Sequence, residues 1–257
     1  MKIGVAGWSI HRRFFNKEVA LLDYPALCKE EFGVSGVELN SPFFESTEDD
    51  YLDQLMANAD KAGVKLIHIS VDAPGNLASL DEEERQATVA EHLKWGRIAG
   101  KLGCISYRAN TGGSAEAPDD EMAACIKSWT ELCADAAPRG VKVIIENHGG
   151  IAKYPDPIIR LIEAAGRDRA GACPDFGNWT EDVRYEATAK MAPYAVVMHA
   201  KFHDFDEQGN HPAWDIARCV QLCKDGGFDG WYLIEFEGQK DDHEGVLRAI
   251  ELLKAPA

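Results

Sequence analysis

The segment VKVIIE (141–146) is an apolar run that stops on the carboxylate of Glu146. Three later segments repeat the plan: GACPD (171–175) ends on Asp175, AVVMH (195–199) on His199 and WYLIE (231–235) on Glu235. If these runs are consecutive parallel strands of a closed barrel, their carboxyl ends converge and bring two glutamates, an aspartate and a histidine to one point. Three hard oxygen donors and one imidazole suit a divalent cation such as Mn²⁺, Mg²⁺, Co²⁺ or Zn²⁺, and no cysteine ends a strand beside them to favour a softer metal. Taken singly, an acid at a strand end reads as a loop acceptor or a helix N-cap, and His199 as a satisfied core histidine. Four coinciding on successive runs favour a shared metal centre.

Working outward from these runs, the pattern predicts strands over 2–7, 36–40, 65–71, 104–108, 142–147, 171–175, 195–200 and 231–236. Each is short, rich in β-branched or large apolar residues and bounded by Gly, Pro, Asn or Asp. Between them lie helical stretches: Tyr24 to Phe32, Asp49 to Ala62, Glu82 to Leu102, Asp119 to Ala137, Pro155 to Ala165, Tyr185 to Met191, Trp214 to Lys224 and His243 to Leu253. Leu52, Leu55, Met56 and Ala59 show the stripe that seals a helix against a sheet. Alternating βα units leave an open doubly wound sheet or a closed barrel, and eight repeats favour closure. The first strand runs into Trp8 and Ser9 without a GxGxxG turn, so dinucleotide binding lacks its phosphate loop. The expected fold is α/β, a single (β/α)8 TIM barrel filling residues 1–257 as one domain, with the loop Thr111 to Asp120 a candidate cover over its mouth.

Composition agrees with a folded protein acting on small molecules. The 257 residues are 46% hydrophobic and 27% charged, and the net charge of −16 sets a repulsive field against any polyanion. No basic cluster offsets it, which argues against nucleic-acid partners. No run approaches the roughly 18 apolar residues of a membrane span. The opening MKIGVAGWS reads as a strand entering a polar loop rather than a leader, so a cytoplasmic location is expected. Cysteines 28, 104, 125, 133, 173, 219 and 223 are odd in number and sit mostly in apolar contexts, which points to reduced, buried thiols. Cys219 and Cys223 share a helix face without a second pair to accompany them.

The runs IIENHGG (144–150), CPDFGNW (173–179), HAKFHDF (199–205) and IEFEG (234–238) resemble the xylose-isomerase-like barrel superfamily. Its sugar isomerases and epimerases include hydroxypyruvate isomerases, ketose 3-epimerases and inosose dehydratases. Position by position, the resemblance implies Glu146, Asp175, His199 and Glu235 as metal ligands, with Glu146 and Glu235 doubling as the acid/base pair. It implies a divalent-metal-dependent sugar isomerase or epimerase that moves a proton next to a carbonyl through a metal-stabilised enediolate. Mn²⁺ is the expected ion, because it accepts mixed oxygen and imidazole donors. The stretch His199-Ala-Lys-Phe-His-Asp departs from the ketose 3-epimerase pattern and is more similar to the inosose dehydratases. A keto-sugar or keto-glycoside lyase is therefore the alternative. The superfamily also contains apurinic-site endonucleases, which the acidic charge disfavours, and a non-catalytic sugar binder is a further reading.

Around this tetrad the candidate substrate contacts are Lys201, His148, Asn178, Trp8, Arg108 and His203. Lys201 lies two residues after His199 and so on the same side of the strand, where it would hold substrate or else form a salt bridge to Asp204 or another carboxylate. His148 follows Glu146 by two, as a mouth residue or a loop hydrogen-bonder. Asn178 follows Asp175, and Arg108 ends the fourth strand. Glu38 and His68 are further candidates on strands two and three, and His203 with Asp204 is a candidate orienting pair. Trp8, Phe43, Phe44 and Trp214 offer apolar faces for a sugar ring or simply pack. Aromatics at Phe14, Phe15, Phe43 and Phe44 leave two roles open: covering a neighbour's pocket in a homo-oligomer, or local packing. The acidic runs Asp81 to Glu84 and Asp241 to Glu244 read as solvated helix starts.

Overall fold

Strands β1 (Lys2–Ala6), β2 (Gly36–Asn40), β3 (Lys65–Ser70), β4 (Ser106–Arg108), β5 (Lys142–Glu146), β6 (Ala170–Cys173), β7 (Val197–Phe202) and β8 (Trp231–Phe236) alternate with helices in the computed structural model, which describes residues 1–72 and 75–255. The helices are α1 (His11–Phe15), α2 (Tyr24–Phe32), α3 (Asp49–Ala62), α4 (Glu82–Lys101), α5 (Asp119–Ala136), α6 (Pro155–Ala165), α7 (Arg184–Met191), α8 (Ile216–Asp225) and α9 (Asp242–Lys254). All eight expected strands and all eight expected helices form, and α1 is a short addition. The acidic runs start helices as expected, and each also supplies an N-cap: Asp81 accepts from the Glu83 and Glu84 amides and Asp241 from that of Glu244. Helix α8 begins at Ile216 rather than Trp214, because Asp215 takes the N-cap position and accepts from the Arg218 amide.

Every strand pairing is parallel, in the order β6-β5-β4-β3-β2-β1-β8-β7. The sheet curls into a nearly closed (β/α)8 TIM barrel whose last seam, between β6 and β7, is stitched by isolated bridges at Ala172–Ala195 and Asp175–His199. Pro174 explains the interruption. It has no amide hydrogen to donate, so β6 stops at Cys173, and only its carbonyl is used, accepting from the His199 amide at 3.0 Å.

Two cores result. The larger fills the space between sheet and helices, with Trp129, Tyr24, Tyr107 and Phe176 among its fully buried members. The smaller plugs the barrel interior with Ile67, Ile144, Cys173, Val197 and Leu233. Side chains alternate across a strand, so the residues two further along point the same way. After Ile144, Cys173, Val197 and Leu233 those residues are Glu146, Asp175, His199 and Glu235. The apolar plug thus forms the floor under the strand-end acids, and the barrel's carboxyl-terminal mouth opens above them.

Candidate metal centre

Glu146, Asp175, His199 and Glu235 each aim one donor atom into a shared space in which those atoms lie within 4.8 Å of one another, and all four residues are buried. His199 Nδ1 lies 3.4 Å from Glu146 Oε1, 3.8 Å from Glu235 Oε2 and 4.0 Å from Asp175 Oδ2. Its other ring nitrogen, Nε2, is 2.8 Å from Glu38 Oε2, also fully buried. Two atoms of the tetrad, His199 Nδ1 and Asp175 Oδ2, have no hydrogen-bond partner among the described residues. Buried polar atoms are almost always partnered, and these two face one another. The donor set fits a divalent cation.

Charge leads to the same place. Asp72, Glu146, Asp175, Glu235 and Glu237 gather around two permanent cations, Arg108 and Lys201, and Glu38 adds a sixth carboxylate against His199. An uncompensated buried carboxylate is costly, and the protonation equilibria register it. Burial, with Glu235 and Glu146 adding to it against Lys201, pushes the Asp175 carboxyl above the ordinary range. Burial acts on Glu146 in the same sense, but the Arg108 guanidinium and His199 outweigh it and hold that carboxyl well below its usual value. His199 is raised well above an ordinary histidine despite its burial, because Cys173, Glu38, Glu235 and Glu146 surround it.

The residues bracing the tetrad come from several strands. Arg108 pairs with Glu146 and with Asp72 at the end of β3. Asn178 donates to Glu146 Oε1 at 2.8 Å and accepts from Lys201 Nζ at 3.0 Å. Lys201 is buried and lies 3.1 Å from Glu235, 3.3 Å from Glu237 and 3.6 Å from Asp175. Its pairing with Asp204 does not form, since Asp204 instead accepts from the amides of Gln239 and Lys240. Those carboxylates raise the Lys201 pKa against the effect of burial, so it is a fixed ammonium. A Cβ on Gly177 would stand 2.8 Å from Lys201 Cδ and 3.0 Å from Trp214 Cη2, so this position must stay bare for the lysine to reach the site. Asn147 exchanges two hydrogen bonds with the Asp175 backbone, at 2.7 and 3.1 Å. Ser9 bridges the Ile234 carbonyl and the Phe236 amide, one on each side of Glu235.

Of the expected substrate contacts, Arg108, Asn178 and Lys201 converge on the tetrad. His148 is exposed at the mouth, two residues beyond Glu146. Trp8 is half-buried at the end of β1, stacked between His11 and Phe43. His203 is exposed, and its ring packs against His211 and Trp214 rather than pairing with Asp204. Trp214 is itself buried against His211 with its centroid 3.8 Å away, and Phe43 stacks on Phe14 at 4.3 Å. Phe44 meets Trp95 edge-on, while Phe15 stays 59% exposed. His68 does face the barrel interior, its ring 6.5 Å from that of His199. The loop Thr111 to Asp120 is tied down by Gly112, which accepts from the Ile151 amide, and by Ser114, which donates twice to Glu121. Asp72, Asn147, Ser9 and Glu237 were not singled out in the sequence. Asp72 and Glu237 do stand at strand ends, but their partners lie on neighbouring strands.

A barrel whose carboxyl-terminal mouth carries three acids and an imidazole within ligating reach of one point defines a class: (β/α)8 proteins with a candidate divalent-metal centre. Residues 26–255 match the family described as xylose isomerase-like TIM barrel, and the chain belongs to that family. Over 64 residues, 25% of the chain, it is 42% identical to the C-glycoside deglycosidase alpha subunit of Arthrobacter globiformis, a match spanning 18% of that relative's length. The architecture is similar to D-psicose 3-epimerase from Clostridium cellulolyticum H10, solved with D-tagatose, at a TM-score of 0.76 and 14% identity over 99% of this chain and 98% of that one. It is also similar to 3-keto-D-glucoside 4-epimerase from E. coli, at a TM-score of 0.76 and 15% identity over 99% of both chains.

Proposed function

We propose that the protein, acting as one unit over residues 1–257, is a divalent-metal-dependent sugar isomerase or epimerase. Glu146, Asp175, His199 and Glu235 would hold the ion, and Mn²⁺ suits their mixed oxygen and imidazole donors. The observation that carries this reading is the set of four buried donors within 4.8 Å of one another at the barrel mouth, of which His199 Nδ1 and Asp175 Oδ2 have no hydrogen-bond partner among the described residues. A bound divalent cation would supply Lewis acidity, drawing electron density from a sugar carbonyl and its neighbouring hydroxyl and so acidifying the C–H between them.

The remaining work falls to side chains. One glutamate takes the proton from carbon and the other returns it, either to the neighbouring carbon or to the opposite face of the same one. Glu146 and Glu235 flank the site from β5 and β8, and each is held by a cation, Arg108 or Lys201. Arg108 and Asn178 each engage one Glu146 oxygen and fix the direction of its lone pairs. Lys201 stays charged beside Asp175 and Glu235 and stabilises negative charge developing on a substrate oxygen. His148, Trp8 and His203 are proposed as contacts to the sugar from the rim. Seven buried, unpaired cysteines suit a reducing cytoplasm.

Incubating the Mn²⁺-reconstituted protein in D₂O with a panel of ketoses and keto-sugars tests the proposal. Deuterium should enter next to the carbonyl, and Glu146→Gln or Glu235→Gln should abolish turnover while retaining some metal binding. Wild-type rates in either variant reject the assignment. A second reading, β-elimination from a keto-sugar or keto-glycoside, is favoured by the fixed Lys201 ammonium and by the similarity to the deglycosidase subunit. It starts with the same proton removal and expels a hydroxyl or aglycone from the next carbon. An ultraviolet-absorbing enone, formed with loss of water or aglycone, selects it.

A further inference from the structure

Glu38 is completely buried inside the barrel, at a point where an apolar side chain would cost far less. It sits on β2, opposite Ala6 of β1 and His68 of β3, while it hydrogen-bonds to a residue of β7, across the barrel. That partner is His199 Nε2, at 2.8 Å. The two nitrogens of an imidazole point away from each other, so a residue on Nε2 cannot share an ion held by Nδ1. Glu38 therefore stands behind the histidine while Glu146, Asp175 and Glu235 stand in front of it.

From this arrangement we infer that Glu38 is a positioning residue for the metal centre, an inference that rests on the proposed metal-dependent function. By accepting the Nε2–H of His199 it fixes the neutral tautomer in which Nδ1 carries the free lone pair, and it holds the ring turned toward the three carboxylates. Its negative charge also makes Nδ1 a better donor, as carboxylates hydrogen-bonded to ligating histidines do. Nδ1, without a hydrogen-bond partner among the described residues, is the second half of the observation, because it is the nitrogen left for an ion. His68, the neighbouring interior histidine, is tied to β4 instead, its Nδ1 bonding to the Ser106 hydroxyl at 2.9 Å.

The test uses the full chain and two variants, Glu38→Gln, which keeps the shape, and Glu38→Ala, which removes the acceptor. Calorimetric titration with Mn²⁺ should show affinity weakened roughly 10-fold in the first and up to about 100-fold in the second. With Zn²⁺ bound, long-range ¹H–¹⁵N spectra of the wild type should show His199 protonated on Nε2 and metallated on Nδ1, and Glu38→Ala should lose that single pattern. Wild-type affinity and an unchanged His199 signature in a folded Glu38→Gln protein overturn the role, and this variant decides if Glu38→Ala does not fold. If the wild type itself takes up no metal, the proposed function falls and the role of Glu38 with it. A binding wild type with indifferent variants removes Glu38 alone.

Discussion

His92, one turn from Trp95 on α4, is buried with Nδ1 lacking a partner among the described residues, and its ring stacks over Tyr107 with centroids 6.4 Å apart. Burial, helped by the nearby Arg108 charge, lowers its pKa from 6.5 to about 4. Between those values the unfolded chain binds the proton more readily than the folded one. The stability that neutral His92 contributes is thus fully present above pH 6.5 and lost as pH falls through about 4, with a ceiling on the order of 3 kcal/mol. Urea unfolding of wild type and His92→Phe from pH 7 to pH 4 should show a shallower acid loss in the variant; parallel curves would refute it. At this scale the sequence was legible where a side chain's role depends on its place in a repeat. Glu146, Asp175, His199 and Glu235 end successive apolar runs, and the fold brings them together. Asn147, Ser9 and Glu237 act through contacts with neighbouring strands or backbone, and no local pattern in one chain reports those.

At the scale of elements, helix and strand periods were readable because each βα unit buries one stripe or run, while strand ends were less so. The expected strand 171–175 stops at Cys173 because of Pro174, and 195–200 becomes Val197–Phe202, the Ala195 amide being spent on closing the helical turn over Ala192–Tyr194 by donating to the Ala192 carbonyl. Barrel closure also depends on small residues that no hydrophobic pattern marks. Gly4 of β1 is such a position: a Cβ there would lie 2.8 Å from the Gly36 carbonyl oxygen of β2 and 2.8 Å from Leu233 Cδ2 of β8. A backbone oxygen cannot rotate aside as a side chain can, so β1 and β2 must separate. Gly4→Ala should destabilise the protein by about 1–3 kcal/mol, the cost of overpacking a core. For a chain of this size that lowers Tm by roughly 2–4 °C per kcal/mol, and an unchanged calorimetric Tm would show that the strands part without penalty.

Over the whole molecule, an excess of negative charge is part of the design of the mouth as well as of the surface. The chain carries −16 overall, and among the described residues six carboxylates at the centre face two permanent cations, Arg108 and Lys201, and the His199 ring. A cation that binds the folded chain and not the unfolded one stabilises it by mass action, by about 2.7 kcal/mol at 100 times its Kd. Mn²⁺ at that excess should raise Tm by roughly 5–10 °C, and a chelator should reverse the shift. Surface screening would also favour a strongly acidic protein, so NaCl at equal ionic strength is the comparison, and it should produce much less. The double variant Asp175→Asn, Glu235→Gln, compared with its own metal-free baseline, should lose the Mn²⁺ response, because it removes two of the four donors. Should NaCl match Mn²⁺, or the double variant respond in full, the stabilisation would belong to the acidic surface and not to the barrel mouth.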